Sequence, residues 1–209
     1  MKAGGLFVTG TDTDVGKTYV ATELVRRLRA AGVRAVGMKP IECGSREDSN
    51  ALLEASGEPG LKLEDIAPLW FPDPLAPSAM LSGDEVDFSI LVERYQKLRE
   101  EFDFVVVEGA GGWMVPVDST RTMADLAVLL DLPVLIVAAN RLGVLNHTLL
   151  TLGAIWHGDL ECRGIFLNTI SKTEGDLSQE SNAKQLEDVA AGVDLFDGDF
   201  DRLVEAVKG

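Results

Sequence analysis

Cysteine, histidine and aromatic side chains are scarce in this chain, and its 19 basic residues are outnumbered by 34 acidic ones. The two cysteines, Cys43 and Cys162, are too few for a disulfide scaffold, so a reduced, cytoplasmic protein is expected. The two histidines, His147 and His157, have no cysteine close to them and give no zinc-binding spacing. No apolar run approaches the roughly 20 residues that span a bilayer. The N-terminal Met-Lys-Ala-Gly-Gly passes straight into the first apolar run, so no signal peptide is expected. A G-x-S-x-G elbow that would support acyl transfer is also missing. The formal net charge is −15 and the pI about 4.5. Such a surface repels phosphate backbones, so neither nucleic acid nor membrane is expected as a partner.

What is present is an ordinary globular composition, 46% hydrophobic and 25% charged over 209 residues, expected to form one domain over 1–209. Apolar Leu6-Phe7-Val8 reads as a strand. Val20, Leu24, Val25 and Leu28 follow helical spacing, with Gly32 placed to end that helix. A second strand is expected over residues 35–38. Residues 41–87 carry five prolines and are the least regular part, with a short helix over 49–56 stopped by Gly57. Phe88, Leu91, Val92, Tyr95, Leu98 and Phe102 predict an amphipathic helix. It leads into a buried strand over 104–108, with Gly109-Ala-Gly-Gly112 expected as a loop. Helix over 122–130, strand over 133–139, helix over 146–156 and strand over 163–168 follow. The alternation implies an α/β fold with a mainly parallel sheet and helices on both faces. Ligands of such sheets bind at the carboxyl ends of the strands.

At the first of those ends stands Gly10-Thr-Asp-Thr-Asp-Val-Gly-Lys-Thr18. A strand, a glycine-bounded loop and a Gly-Lys-Thr helix start cradle phosphates, because loop and helix N–H groups point at the anion and the helix dipole adds partial positive charge. Lys17 would reach the β- and γ-phosphates, and the Thr18 hydroxyl would ligate Mg²⁺. Five residues, not the usual four, separate the two glycines, so Thr11 stands where the first glycine is expected. Lys39-Pro40 puts a second ammonium past the second strand, and two lysines at adjacent strand ends suit a phosphate site. Glu108 ends the third strand, where P-loop enzymes place an acidic residue that holds Mg²⁺.

Together with Val107-Glu-Gly-Ala-Gly-Gly-Trp113 and Leu142-Gly-Val-Leu-Asn-His147, these segments resemble the dethiobiotin synthetase family over about residues 5–170. The resemblance implies a single-domain, three-layer P-loop NTPase-like fold. It implies an ATP- and Mg²⁺-dependent cyclo-ligase that closes a cyclic urea from 7,8-diaminononanoate and CO₂ or bicarbonate. One amine takes up CO₂ as a carbamate, ATP phosphorylates it, and the other amine expels phosphate. In that reading Lys39 and Lys17 are catalytic. Asp14, Val15, Gly16, Lys17, Thr18, Tyr19, Glu108, Gly109, Ala110, Gly111, Asn168 and Thr169 hold the nucleotide, with Asn168 reading the adenine. Asp12, Cys43, Val144, Leu145 and Asn146 contact the substrate, the last three through backbone N–H groups contributed by a second subunit of a homodimer. Thr18, Asp48 and Glu108 hold the metal.

The chain departs from the family pattern at Cys43, where relatives usually carry serine; a thiol donates a weaker hydrogen bond. The second carboxylate at the metal is either Asp48 or its column is Asn50, with Asp48 preferred. A proline-containing adenine-side loop is not found after Gly192. His147 is expected to cap or pack, Cys43 lacks a neighbouring base that would make it a nucleophile, and Trp113 is expected to pack over the glycine run. Two other classes fit the sequence less well. Dimerising ATPase switches of the partition and cell-division kind carry a lysine at the position of Asp12, a charge reversal. The cobyrinate-type synthetases need a glutaminase domain for which 209 residues leave no space.

Overall fold

A computed structural model describes residues 4–171, 176–190 and 192–208. In chain order the elements are β1 (Gly4–Gly10), α1 (Lys17–Ala30), β2 (Ala35–Met38), β3 (Ile41–Cys43), α2 (Glu47–Ser56), α3 (Leu63–Ile66), β4 (Leu69–Phe71), α4 (Pro77–Met80) and α5 (Phe88–Glu101). They continue with β5 (Phe104–Gly112), α6 (Met123–Leu130), β6 (Val134–Ala139), α7 (Val144–His157), β7 (Cys162–Asn168), α8 (Leu177–Val189), β8 (Leu195–Asp197) and α9 (Phe200–Lys208).

Six strands form one sheet in the order β2-β5-β1-β6-β7-β8, and every pairing is parallel. The central strands are apolar and buried along most of their length, as a sheet covered on both faces requires. Helix α1 packs with α2 and α9, while α5 packs with α6 and α7 with α8. Its apolar stripe Val20, Leu24, Val25 and Leu28 is fully buried, and Gly32, at φ 82°, follows its C-cap Ala31.

Three differences from the sequence reading bear on the site. Gly109–Gly112, expected as a loop, continues β5: Gly112 pairs with Gly10 of β1 after a register shift between Val8 and Gly10. Low strand propensity is overridden by the tertiary pairing with β1. Within 41–87 the short strands β3 and β4 form a second, parallel two-stranded sheet, with Ile41 opposite Leu69 and Cys43 opposite Phe71. Helix α7 begins at Val144, two residues before its expected start, because Gly143 adopts φ 93° as its N-cap.

Candidate functional site

The carboxyl ends of β1, β2 and β5 converge on a cleft of about 650 Å³ whose walls include Lys17, Thr18, Lys39, Cys43, Asp48 and Glu108. Strand pairing does this directly. Val8 is opposite Glu108 across β1 and β5, and Met38 is opposite Val107 across β2 and β5. The residues that follow those strands, the phosphate loop and Lys39, therefore open on one side.

The loop needs its glycines. At Gly16, φ is 91°, a left-handed conformation that disfavours side chains, and a Cβ there would overlap the Asn168 amide. That amide donates to the Val15 carbonyl at 2.9 Å, so β7 props the loop from beneath. Gly10 has no room for a Cβ either, because the Asp12 carbonyl and Val15 close over it. Lys17 folds back to donate to the Asp12 carbonyl at 3.0 Å. Burial, helped by the neighbouring Lys39 charge, lowers its ammonium to about 8. A polyanion brought against it would reverse that shift.

The centre of the cleft is a charge cluster. Lys39 is almost fully buried, and its Nζ lies 2.7 Å from Asp48 Oδ2, 2.7 Å from Glu108 Oε1 and 3.4 Å from the Gly109 carbonyl. Burial alone would lower its ammonium, but Glu108 and Asp48 outweigh burial and hold it above the ordinary lysine value. Thr18 Oγ1 lies 2.8 Å from both Asp48 Oδ1 and Glu108 Oε1. One hydroxyl carries one hydrogen, so it donates to only one of them. Glu108 Oε2 is buried and has no hydrogen-bond partner among the described residues. Burial pushes the Glu108 carboxyl up despite Lys39.

This donor set fits a hard divalent cation. Two carboxylates and a hydroxyl converge, and one carboxylate oxygen is unsatisfied, which an oxygen-seeking cation would correct. Among the described residues no cluster of three or more His, Cys, Asp or Glu could hold a metal alone. Mg²⁺ suits such a partial set, because it keeps waters and takes phosphate oxygens as further ligands. The alternative left open by the sequence, Asn50, points elsewhere: its Nδ2 donates to the Arg46 carbonyl at 2.6 Å, in an exposed position. In a magnesium titration, Asp48→Asn and Thr18→Val are therefore expected to raise the Mg²⁺ needed for half-maximal turnover about tenfold, and Asn50→Ala to leave it within about twofold. A shift confined to the Asn50 variant would contradict the geometry.

Other expected site residues are distributed around this centre. Asp14, Gly16, Ala110 and Gly111 line the same cleft, and Gly109 supplies its carbonyl to Lys39. Val15 is buried under the loop. Tyr19 is exposed and meets Phe200 edge-on at 5.7 Å. Asp12 accepts from the Thr13 amide and pairs with Arg141 at 3.3 Å. Cys43 lies on the cleft wall, where burial raises its thiol to about 11, so it is no nucleophile at neutral pH. Trp113 is buried and meets Phe7 edge-on at 6.2 Å, among core side chains.

The start of α7 does not line the cleft. Val144 is buried and its N–H is committed to the Arg141 carbonyl, so it is not free to receive a ligand. The amides of Leu145 and Asn146 make no hydrogen bond among the described residues. His147, expected to cap or pack, does neither: Gly143 is the N-cap, no side chain caps it, and the imidazole is exposed. One supporting residue went unnoticed in the sequence. Asn140, at the end of β6, donates from its backbone to the Asn168 carbonyl at 2.8 Å and from its side chain to Thr169 at 3.2 Å. An asparagine just past a strand of apolar residues is the signal that could have found it.

A family model described as an AAA domain matches residues 4–192. The ATP-dependent dethiobiotin synthetase BioD of Akkermansia muciniphila is 43% identical over 183 residues, covering 87% of this chain and 85% of its own. That of Anaeromyxobacter dehalogenans strain 2CP-C is 49% identical over 190 residues, covering 87% and 83%. Among solved structures, a plasmid partition protein from Borrelia burgdorferi superposes with a TM-score of 0.60 over 99% of this chain and 96% of that one, at 13% identity. The last shares the fold alone.

Proposed function

The chain belongs to the ATP-dependent dethiobiotin synthetase family, and from that membership and the cleft we propose that it joins 7,8-diaminononanoate and CO₂ into the cyclic urea dethiobiotin. It is an ATP-dependent cyclo-ligase of biotin biosynthesis. The observation that carries the finer reading is the buried Lys39 ammonium between Asp48 and Glu108, the two carboxylates that also meet Thr18 at the end of the phosphate loop. A reaction between two anions needs that concentration of positive charge.

An amine nitrogen adds to the carbon of CO₂ and loses a proton, giving a carbamate. A carbamate oxygen attacks the γ-phosphorus of ATP, the bond to the β-γ bridging oxygen breaks, and ADP leaves from a carbamic-phosphoric anhydride. The second amine attacks the carbamoyl carbon, the bond from that carbon to the phosphate oxygen breaks, the amine's proton leaves with the phosphate or to water, and the ring closes. Lys17 neutralises the phosphates and Lys39 holds carbamate and phosphoryl together. Thr18, Asp48 and Glu108 would hold Mg²⁺, which when bound supplies charge neutralisation to the phosphates. Gly16 keeps the loop backbone open to the phosphates, and Asn168, with Thr169, borders the base. Asp12 and Cys43 face the diamine side.

We read the chain as one domain that acts as a homodimer. No helix among the described residues is long and apolar enough to cross a membrane, and an intracellular, reduced setting fits the free Cys43 and Cys162. Support for the dimer comes from α7 and its flanks, which expose Leu142, Leu149, Leu150 and Trp156, beside exposed Val128 and Leu129 of α6. Large apolar side chains exposed in this number on neighbouring elements suit an interface. A partner seated there would bring the free Leu145 and Asn146 amides to a substrate carboxylate. Incubation with ¹³C-bicarbonate, diamine and MgATP should place the label in a ureido carbon detectable by NMR. Phosphate release without a labelled ring would refute the reading.

A further inference from the structure

We propose that Glu42, which takes no part in the chemistry above, is a positioning residue that fixes Asp48 against Thr18 and Lys39. Glu42 lies at the middle of β3 and is only 1% exposed. A buried carboxylate is costly unless it is hydrogen-bonded, so its partners indicate why it is retained. Those partners are all at the first turn of α2. Glu42 Oε1 accepts from the Ser49 N–H at 3.0 Å, Oε2 accepts from the Ser49 hydroxyl, and Arg46 Nε lies 3.7 Å from Oε2.

Helix α2 has no cap of its own. Its N-cap residue is Arg46, whose side chain makes no capping bond, and the N3 residue Ser49 is fully buried. Glu42 therefore supplies from another element the acceptor that a serine or aspartate N-cap would supply locally, and its charge suits the helix N-terminus. Asp48 is the residue immediately before Ser49. Its carboxylate is 41% exposed, but both oxygens are engaged, at 2.8 Å from Thr18 and 2.7 Å from Lys39. A side chain that exposed owes its aim to its backbone. The Asp48 carboxylate is held on the cleft side by Thr18 and Lys39, and the backbone next to it is held on the core side by the Glu42–Ser49 pair. Arg46 adds to the clamp by donating to the Ala67 carbonyl at 3.0 Å and lying over Trp70 at 5.7 Å.

The inference rests on the reading that Asp48 holds the metal, and the test separates the two. Mn²⁺ binding to the protein saturated with a non-hydrolysable ATP analogue is read from the EPR signal of free Mn²⁺. Glu42→Ala should weaken Mn²⁺ about tenfold, the scale of losing a residue that orients a ligand. Asp48→Ala should weaken it at least as much, and the double variant should lie within about twofold of Asp48→Ala, since both act through one carboxylate. Glu42→Gln, whose amide oxygen still accepts from Ser49, should stay within about threefold of wild type. Should Glu42→Ala fail to fold, Ser49→Ala removes one of the two bonds and should weaken Mn²⁺ about threefold.

Wild-type affinity in a folded Glu42→Ala or in Ser49→Ala overturns the positioning role, and so do losses that multiply in the double variant. Glu42→Gln as weak as Glu42→Ala also overturns it. If Asp48→Ala alone binds Mn²⁺ normally, the metal reading of Asp48 falls and the positioning role with it.

Discussion

Lys39→Ala is expected to lower kcat by roughly 10²-fold or more while changing ATP affinity by only a few-fold, because the ammonium acts mainly on charge that develops during transfer. The split between kcat and nucleotide binding follows from position. In the proposed mechanism Lys17, in the phosphate loop, would meet the phosphates whether or not reaction proceeds. Lys39 sits beyond β2, deep between Asp48 and Glu108, where an acceptor anion and a departing phosphoryl need a shared counter-charge. Its removal also leaves two carboxylates facing each other around Thr18. Leaving a buried charge without its partner typically costs about 3–5 kcal/mol of stability, so the variant needs a thermal melt beside its kinetics. A folded Lys39→Ala protein that turns over at near the normal rate would remove Lys39 from the mechanism.

The second large effect is recovery of activity from two inactive proteins. Lys17→Ala disables the phosphate loop, and Asn146→Trp blocks the first turn of α7 from a position that is exposed, so the fold is spared. If the start of α7 completes the partner's site, a mixed dimer carries one doubly damaged site and one intact one. Random exchange makes about half the dimers mixed, so activity should rise from near zero to roughly a quarter of wild type per total site. The geometry motivates the choice of residues: the free Leu145 and Asn146 amides lie away from the cleft lining of their own chain. No recovery after verified subunit exchange would mean that each chain builds its site alone.

How much of this was legible in the sequence depends on how local each signal is. The phosphate loop, Lys39 and Glu108 follow strands whose apolar runs announce them, and parallel pairing then brings the strand ends together with no further information. Asp48 and Asn50 were harder to separate, because both lie near the start of one helix and only the tertiary approach to Thr18 decides between them. The glycine run after Glu108 was misread because composition suggested a loop, whereas Gly112 pairs with Gly10 and the run extends the strand. Glu42 carried no local signal: a lone acid in a three-residue strand becomes meaningful only when Ser49, seven residues later, folds back onto it. Helix α9 was legible and passed over, since Phe200, Leu203, Val204 and Val207 show the helical period and are buried.

In the proposed reaction, phosphoryl transfer from ATP goes to an acceptor made from the diamine and CO₂. The most direct measurement is the rate of ADP formation with MgATP alone, with 7,8-diaminononanoate alone, with bicarbonate alone, and with both. Fast ADP release only when diamine and bicarbonate are present together is the predicted result. A rate indifferent to the diamine, or one stimulated by DNA or lipid instead, would contradict the account and favour the ATPase switches whose fold this chain shares.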